Sequence, residues 1–161
     1  MTKEEQIITS FRSLVNKMAS LNKFKMKDRL HGYQSSEVHC IEYIGKSADA
    51  NVTKLAQTFY VTRGAISKLT KKLMEKGLIE SYQKPSNKKE VYFRLSKQGK
   101  EIHKIHMNLH KEFQKRDKVV FAQVTEKQFD AMLRFAEMYS NHLDAEIEKL
   151  GIELTSGSDF E

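Results

Sequence analysis

Two helical segments lie so close together in this sequence that they must meet across a tight turn. The first covers roughly residues 52–59, and Thr62, three residues later, is of a type that caps helix N-termini. The helix that Thr62 begins carries apolar residues at helical spacing along one face, namely Ile66, Leu69 and Leu73. Gly77 stands where a left-handed residue would end that helix. The pattern therefore predicts a helix-turn-helix.

A β-hairpin is predicted directly after the second helix. Residues 78–82 and 90–95 are rich in β-branched and aromatic side chains, and the turn-forming run 84–87 contains the single proline. A helix, a tight turn, a basic helix and a basic hairpin in this order are typical of a winged helix-turn-helix, whose second helix can enter the major groove of DNA. We therefore expect a mainly α fold with a small β-hairpin wing.

Further helices are predicted on both sides of this unit. One would begin with Ser35 or Ser36 as its N-cap and end near Gly45. A long helix would begin at Ser96, and the last helix would begin at Thr125, which opens a capping-box motif. The N-terminal helix would carry an apolar stripe made of Ile7, Phe11, Leu14, Met18 and Leu21.

The positive charge of the chain is concentrated in the central unit. The formal net charge is +7 and the pI is near 9.4. Residues 62–89 hold eight basic side chains against two glutamates, a balance of +6, whereas residues 126–161 hold nine acidic and three basic ones, a balance of −6. Because a basic stretch indicates a polyanionic partner, we expect the central unit, and not the C-terminal segment, to meet phosphate.

The residues expected to contact DNA lie on the exposed face of the basic helix and at the hairpin tip. A helix in the major groove offers short donors and cations to base edges, and arginine suits guanine. Lysines farther along the helix would mostly contact phosphate, while the hairpin lysines would lie in or beside the minor groove. The predicted set is Thr62, Arg63, Gly64, Ser67, Lys68, Lys71, Lys72, Lys84, Asn87, Lys88 and Lys89.

From about Leu30 to His110 the sequence resembles the MarR family of bacterial regulators. The resemblance rests on the runs Asn51-Val52-Thr53-Lys54-Leu55-Ala56, Val61-Thr62-Arg63-Gly64-Ala65-Ile66-Ser67, Lys76-Gly77-Leu78-Ile79 and Leu95-Ser96-Lys97-Gln98-Gly99-Lys100. At the wing tip, where the family usually has Asp-Arg-Arg, this chain has Asn87-Lys88-Lys89. The resemblance implies a homodimer with interlocking terminal and fifth helices. It also implies a transcriptional regulator, expected to be a repressor, that binds a pseudo-palindromic operator in double-stranded DNA.

The chain is accordingly divided into three parts. Residues 33–109 would form the winged helix-turn-helix domain, residues 1–32 and 110–154 a helical dimerisation region, and residues 155–161 a disordered tail. The apolar stripes of the terminal helices have no obvious partner within the DNA-binding unit, so we expect them to be buried between two chains. The predicted dimerisation residues are Phe11, Phe129, Leu143 and Ile147.

Histidines provide a candidate metal site. His106 and His110 are one helical turn apart, a spacing that can chelate a metal ion, and the family fold would bring His39 near them. Zinc-responsive members of the family are similar at these three positions, although their carboxylate ligand has no clear counterpart here. Two interpretations stay open, a Zn²⁺ effector site or a polar seam in which the imidazoles only form hydrogen bonds. A small-molecule effector is a third alternative.

No enzyme motif is found in the sequence, which lacks a Gly-rich phosphate loop, a nucleophile elbow and a His-Glu-x-x-His motif. A metal-dependent hydrolase would need an acid/base carboxylate beside the histidines, in an open pocket. The single cysteine, Cys40, is expected to be a small core residue, or alternatively a redox sensor if its thiolate were stabilised.

The sequence also bears on the cellular compartment of the protein and on an alternative to the regulator function. The chain has no long apolar run, so we expect a cytoplasmic protein without a membrane partner. The alternative from another class is a sequence-nonspecific basic nucleic-acid-binding or nucleoid-type structural protein. Its binding would depend on salt but show no operator preference.

Overall fold

The computed structural model describes residues 1–150 and contains, within that range, six helices and one two-stranded antiparallel sheet. The elements are α1 (Lys3–Arg29), α2 (Ser35–Lys46), α3 (Val52–Phe59), α4 (Arg63–Glu75), β1 (Ile79–Lys84), β2 (Asn87–Leu95), α5 (Lys97–Phe121) and α6 (Glu126–Lys149). The predicted fold class, mainly helical with one hairpin, is confirmed. The predicted tail, residues 155–161, lies outside the described residues, as do residues 151–154 of the predicted dimerisation region.

The core lies where α2, α3, α4, the hairpin and α5 pack together. Its fully buried apolar side chains include Ile41, Leu55, Ile66, Leu73, Leu78 and Leu109. Burial of one such side chain contributes about 1.5–3 kcal/mol, so this set fixes α4 firmly on the body of the protein. The predicted inward face of α4 is confirmed, because Ile66, Leu69 and Leu73 are all buried.

Side-chain caps define where several helices begin. The hydroxyl of Thr62 accepts a hydrogen bond from the backbone N–H of Ala65 at 3.1 Å, and Ser96 and Thr125 cap α5 and α6 in the same way. These three predicted caps are confirmed. The predicted serine cap of α2 is wrong: the carboxylate of Glu37 accepts a hydrogen bond from the backbone N–H of Gln34 at 3.2 Å, so the cap lies one residue earlier.

Two glycines shape the ends of helices in different ways. Gly77 has φ +71°, which confirms the left-handed residue predicted after α4. Gly45 lies inside the last turn of α2, which continues to Lys46. A Cβ atom at Gly45 would lie 3.0 Å from His103 and from Leu95, so the glycine permits close packing of α2 on α5 and β2.

The hairpin is attached to the helical body through the segment that precedes α3. Its register pairs Ile79 with Leu95 and Tyr82 with Tyr92, and it shifts between Tyr82 and Lys84. The backbone N–H of Phe93 donates to the carbonyl of Ala50 at 2.8 Å, which places residue 50 beside β2. The predicted hairpin is therefore confirmed and is held by a third extended segment.

The two terminal helices contribute little to this core. Neither α1 nor α6 has a buried residue, and large apolar side chains such as Phe24 and Leu133 are 73% and 68% exposed. Helix α5 runs unbroken through residue 110, the predicted domain border, and so joins the core to the terminal helices. Within residues 1–150, no helix is both long enough and apolar enough to cross a membrane.

Candidate nucleic-acid interface

The outward face of α4 is polar, exposed and positively charged. Arg63, Gly64, Ser67, Lys68 and Lys71 are all exposed, on the side of the helix opposite its buried leucines. Among the described residues, no carboxylate forms an ion pair with the three cations of this set. These side chains therefore offer unpaired donors at a convex surface. Thr62, at the start of the helix, is half-buried and acts as its cap.

No contact within the described residues requires a glycine at position 64 of α4. A Cβ atom built at Gly64 would meet nothing closer than the Thr62 hydroxyl, at 3.9 Å. Glycine in the middle of a helix costs roughly 0.5–1 kcal/mol relative to alanine, and Gly64 is the second residue of α4. The packing within this chain therefore tolerates a side chain at position 64.

Lys72 differs from the other predicted DNA contacts on α4 because its ammonium is already paired. Its Nζ lies 2.9 Å from Oε1 of Glu37, and Nζ of Lys76 lies 2.9 Å from both carboxylate oxygens. Glu37 is fully buried near the start of α2. Burial raises the pKa of Glu37, but the bonds from Lys76 and Lys72 outweigh it and leave the pKa lowered. The two lysines thus fasten α4 to α2.

The hairpin shows the same division between free and paired lysines. Lys88 and Lys89, at the tip, are exposed and have no carboxylate partner among the described residues. Asn87 shapes the turn, since its Oδ1 accepts a hydrogen bond from the backbone N–H of Lys89 at 3.2 Å. Lys84, at the base of the tip, is instead paired with the carboxylate of Asp49.

The histidine cluster lies away from α4, between α2 and α5. Nε2 of His106 is 3.1 Å from Nε2 of His110, and Nδ1 of His106 is 3.6 Å from a carboxylate oxygen of Glu42. One donor atom from each of these three residues falls within 4.8 Å of the others. Glu42 is not among the residues predicted from the sequence, although it lies one turn after His39 on the same helix and this spacing could have indicated it.

His39 is adjacent to this group but is not one of the three residues whose donor atoms lie within 4.8 Å of one another. Its side chain is exposed, and its ring centroid lies 6.2 Å from that of His106 in an edge-on contact. His106 is buried, its Nδ1 has no hydrogen-bond partner, and burial lowers its pKa to about 4. The imidazole of His106 is therefore neutral at physiological pH, the form in which histidine binds a metal.

The remaining expectations about reactive residues concern Cys40 and an open pocket. Cys40 is completely buried, and burial raises the pKa of its thiol to about 12. Cys40 therefore lies in the core, as expected, and its surroundings do not stabilise the thiolate that a redox sensor would need. The described residues include a cleft of about 720 Å³ between the end of α1 and the start of α2, lined by residues such as Met26, Leu30 and Tyr33. The histidine cluster is not part of that cleft.

Comparison with known proteins gives a consistent result. The model of the family described as MarR matches residues 34–91. Two HTH-type transcriptional regulators of Bacillus subtilis (strain 168) are similar to the chain: YhjH is 33% identical over 102 residues and PchR is 31% identical over 111 residues. These matches cover 61% and 69% of this chain, and the chain spans only 58% and 66% of the relatives' own lengths.

A solved structure shares the fold over nearly the whole chain. FabT from Streptococcus pneumoniae, crystallised in complex with DNA, has a TM-score of 0.76 to this protein. The match covers 89% of this chain and 99% of that one, at 22% sequence identity. At this identity the likeness concerns the fold alone.

Proposed function

Because the chain belongs to the MarR family, we propose that it is a sequence-specific DNA-binding transcriptional regulator, acting as a repressor in the cytoplasm. The observation that carries the proposal is the exposed face of α4, with its unpaired cations and the flat position at Gly64. B-DNA's major groove admits one α-helix, and a glycine at the contact lets the backbone approach the bases. α4 is then the recognition helix.

The free cations divide into two groups by position. Arg63, in the first turn of α4, presents a guanidinium that can bind a guanine edge through two hydrogen bonds. Lys68 and Lys71 lie farther along the helix, where contacts to phosphate set its register on the duplex. Lys88 and Lys89 at the wing tip would lie in or beside the minor groove, whose negative potential attracts cations.

A homodimer supplies the second recognition helix. Phe11 and Leu143 are exposed on α1 and α6, while Phe129 and Ile147 are only partly covered. Large apolar side chains exposed along two long helices of one chain suit burial against the same helices of a second copy. Residues 1–32 and 110–154 would then form the dimerisation region around residues 33–109. Two recognition helices would contact half-sites about one helical turn of DNA apart, or somewhat more.

The direct test is selection of bound fragments from the source genome at physiological salt. We expect enrichment of one pseudo-palindromic sequence. Gly64→Ala gives the sharpest variant. Alanine stabilises a helix and would come no closer than 3.9 Å to a neighbour, so the thermal stability of the variant should equal or exceed that of the wild type. Its operator affinity should nevertheless fall. Unchanged operator affinity in Gly64→Ala would contradict the assignment of this face to the major groove.

The alternative is a basic protein that binds nucleic acid without sequence preference. The unpaired cations on α4 and the wing tip would serve that function equally well, since phosphate contacts carry no sequence information. Gly64 favours the specific function, because phosphate contact does not require a bare backbone. Fragment selection that returns no common sequence, together with salt-dependent binding to all duplexes, would support the alternative.

We further propose that DNA affinity responds to Zn²⁺ held by the histidine cluster. His106 and His110 would supply imidazole nitrogens, and Glu42 or His39 would be the third ligand. The fit rests on the unpaired buried Nδ1 of His106 and on the nearby Glu42, since a carboxylate beside a ligating imidazole fixes its orientation. The burial of His106 does not suit a hydrolase, which needs an open pocket.

Metal binding can be measured directly by competition with a chromophoric zinc chelator. Binding tighter than micromolar at pH 7.5 is expected, and it should weaken in acid as protons compete for the imidazoles, with His106 protonated only near its lowered pKa of about 4. His106→Ala should abolish both metal binding and any zinc-dependent change in operator affinity. His142→Ala, an exposed histidine on α6, is the matched control. Absence of tight binding would leave the cluster a purely structural polar seam.

A small organic anion is the alternative effector. The cleft between α1 and α2 has an apolar lining that includes Met26, Leu30 and Val38, and Lys23 and Lys27 also line it. Apolar walls with a few charged groups are typical of small-molecule sites. An anion that changes operator affinity in the wild type, but not in a Met26→Trp variant with a filled cleft, would support this site.

A further inference from the structure

An acidic residue, Asp49, connects strand β1 of the wing to the segment that precedes α3. Asp49 accepts a hydrogen bond from the hydroxyl of Tyr82 at 2.9 Å, and its carboxylate also pairs with the ammonium of Lys84. Tyr82 and Lys84 both belong to β1, on either side of the shift in the hairpin register. The carboxylate therefore bridges the point at which the two strands lose regular pairing.

The backbone around Asp49 holds the other strand. Asp49 has φ +57°, a left-handed conformation that aspartate and asparagine tolerate better than most residues. The next residue, Ala50, accepts the 2.8 Å hydrogen bond from Phe93 on β2, and Asn51 caps α3 through the backbone N–H of Lys54 at 2.9 Å. Residues 49–51 thus contact both hairpin strands and begin the first helix of the helix-turn-helix.

Lys84 is oriented by two neighbours at once. Its Nζ lies 4.9 Å from the centroid of the Tyr92 ring, in addition to its bond to Asp49. The hydrogen bonds from Lys84 and then Tyr82 hold the pKa of Asp49 below its usual range, so the carboxylate is charged at neutral pH. This lysine is engaged within the protein, unlike Lys88 and Lys89 only a few residues away.

We infer that Asp49 is a positioning residue for DNA binding, which fixes the wing through Tyr82 and Lys84 so that the tip lysines reach the duplex. The inference rests on the proposed DNA-binding function. Lys84 acts in this account as an anchor of the wing and not as a phosphate contact. Without the Asp49 carboxylate, β2 keeps its bonds to Ala50 and Asn51, but β1 loses its side-chain connection to this segment, and the direction of the hairpin relative to α4 is less firmly set.

Asp49→Asn is the appropriate variant, because asparagine keeps the left-handed backbone and the shape of the side chain while it removes the charge. Loss of the phosphate contacts of Lys88 and Lys89 should flatten the dependence of log affinity on log salt by roughly one to two units per subunit. We expect Asp49→Asn to flatten it in the same direction, although both lysines are still present. Asp130→Asn, an exposed acid on α6, controls for the change in net charge.

Combined variants distinguish a role of Asp49 in positioning the wing tip from a general effect of the substitution on DNA binding. In a chain that already lacks Lys88 and Lys89, the wing tip has no lysine that could contact phosphate. Asp49→Asn and Lys84→Met should then cause no further loss of the salt slope. If Lys84 contacted phosphate itself, Lys84→Met would flatten the slope in that background as well. An additive effect of Asp49→Asn, or an unchanged slope in the single variant, overturns the inference.

Amide exchange measures the hold on the wing without DNA, so this test does not depend on DNA binding. Deuterium exchange of backbone amides in residues 79–95 should be faster in Asp49→Asn and, to a smaller extent, in Tyr82→Phe, which removes only the hydroxyl donor. Equal exchange in the wild type and both variants would also overturn the inference. If the tip variants flatten the salt slope and Asp49→Asn does not, only this inference fails. If the wild type binds no DNA, both this inference and the proposed function fail.

Discussion

Replacement of Glu37 by Gln tests whether a buried carboxylate fixes the recognition helix to α2. Glu37 is fully buried and receives bonds from Lys72 and Lys76 at 2.9 Å. Hydrogen bonds to a charged group contribute roughly 1.5–3 kcal/mol each. The two lysine side chains are 45% and 34% exposed, so each regains water once its partner is lost, which offsets about half of that contribution. We expect the free energy of unfolding to fall by about 2 kcal/mol.

Thermal unfolding followed by circular dichroism provides the assay. For a chain of this size a loss of about 2 kcal/mol lowers Tm by roughly 4–8 °C. Wild type and variant must be compared at one protomer concentration, because dimerisation makes Tm depend on concentration. Glu75→Gln removes the same charge from an exposed position on α4 and should change stability by less than about 0.5 kcal/mol. Equal Tm values for the two variants would refute the reasoning.

The pH dependence of the same pair gives a second, independent check. The lowered pKa of Glu37 means that its stabilising effect is present above the pKa of the unfolded chain and is lost as pH falls through the folded pKa. The difference in stability between wild type and Glu37→Gln should be complete at pH 7 and should narrow below about pH 4.5. A difference that stays constant down to pH 3 would show that the carboxylate charge is not responsible.

Three further predictions concern DNA binding and assembly. Arg63→Ala should cost about 1–3 kcal/mol on the operator and less on random duplex, measured by fluorescence anisotropy, and equal losses on both would exclude base reading by Arg63. Removal of Lys88 and Lys89 should flatten the salt slope by roughly one to two units per subunit with normal circular dichroism, whereas an unchanged slope would show that the tip does not touch DNA. Phe11→Glu should shift the sedimenting species from dimer towards monomer, and a DNA-competent wild-type monomer at micromolar concentration would argue against the dimer.

Features that depend on neighbouring residues in the sequence were predictable. The caps at Thr62, Ser96 and Thr125 are formed by bonds across three residues, so residue type and spacing were sufficient to identify them. The start of α2 is predicted one residue late, because serine is a preferred cap residue and Gln34 is not. The decisive interaction there is the bond from the backbone N–H of Gln34 to Glu37, a residue that also serves a distant partner.

Features that depend on distant pairs were not predictable. Glu37 meets Lys76 across 39 residues of chain, and Asp49 meets Lys84 across 35. From the sequence, Lys72 and Lys84 looked the same as Lys71 and the other basic residues, because charge alone does not reveal whether a lysine already has a partner. Only the packing of α2 against α4, and of residues 49–51 against the hairpin, distinguishes anchoring lysines from free ones.

The central claim is that the exposed face of α4 reads sequence, and the ratio of operator affinity to random-duplex affinity tests it most directly. The measurement uses wild-type protein, the selected operator and a scrambled duplex of the same length and composition at physiological salt. Specific regulators bind their sites roughly 10³-fold or more tightly than other DNA. We predict a ratio of at least about 10³, reduced in both Arg63→Ala and Gly64→Ala. A ratio near one in the wild type would contradict the account and identify a sequence-nonspecific basic protein.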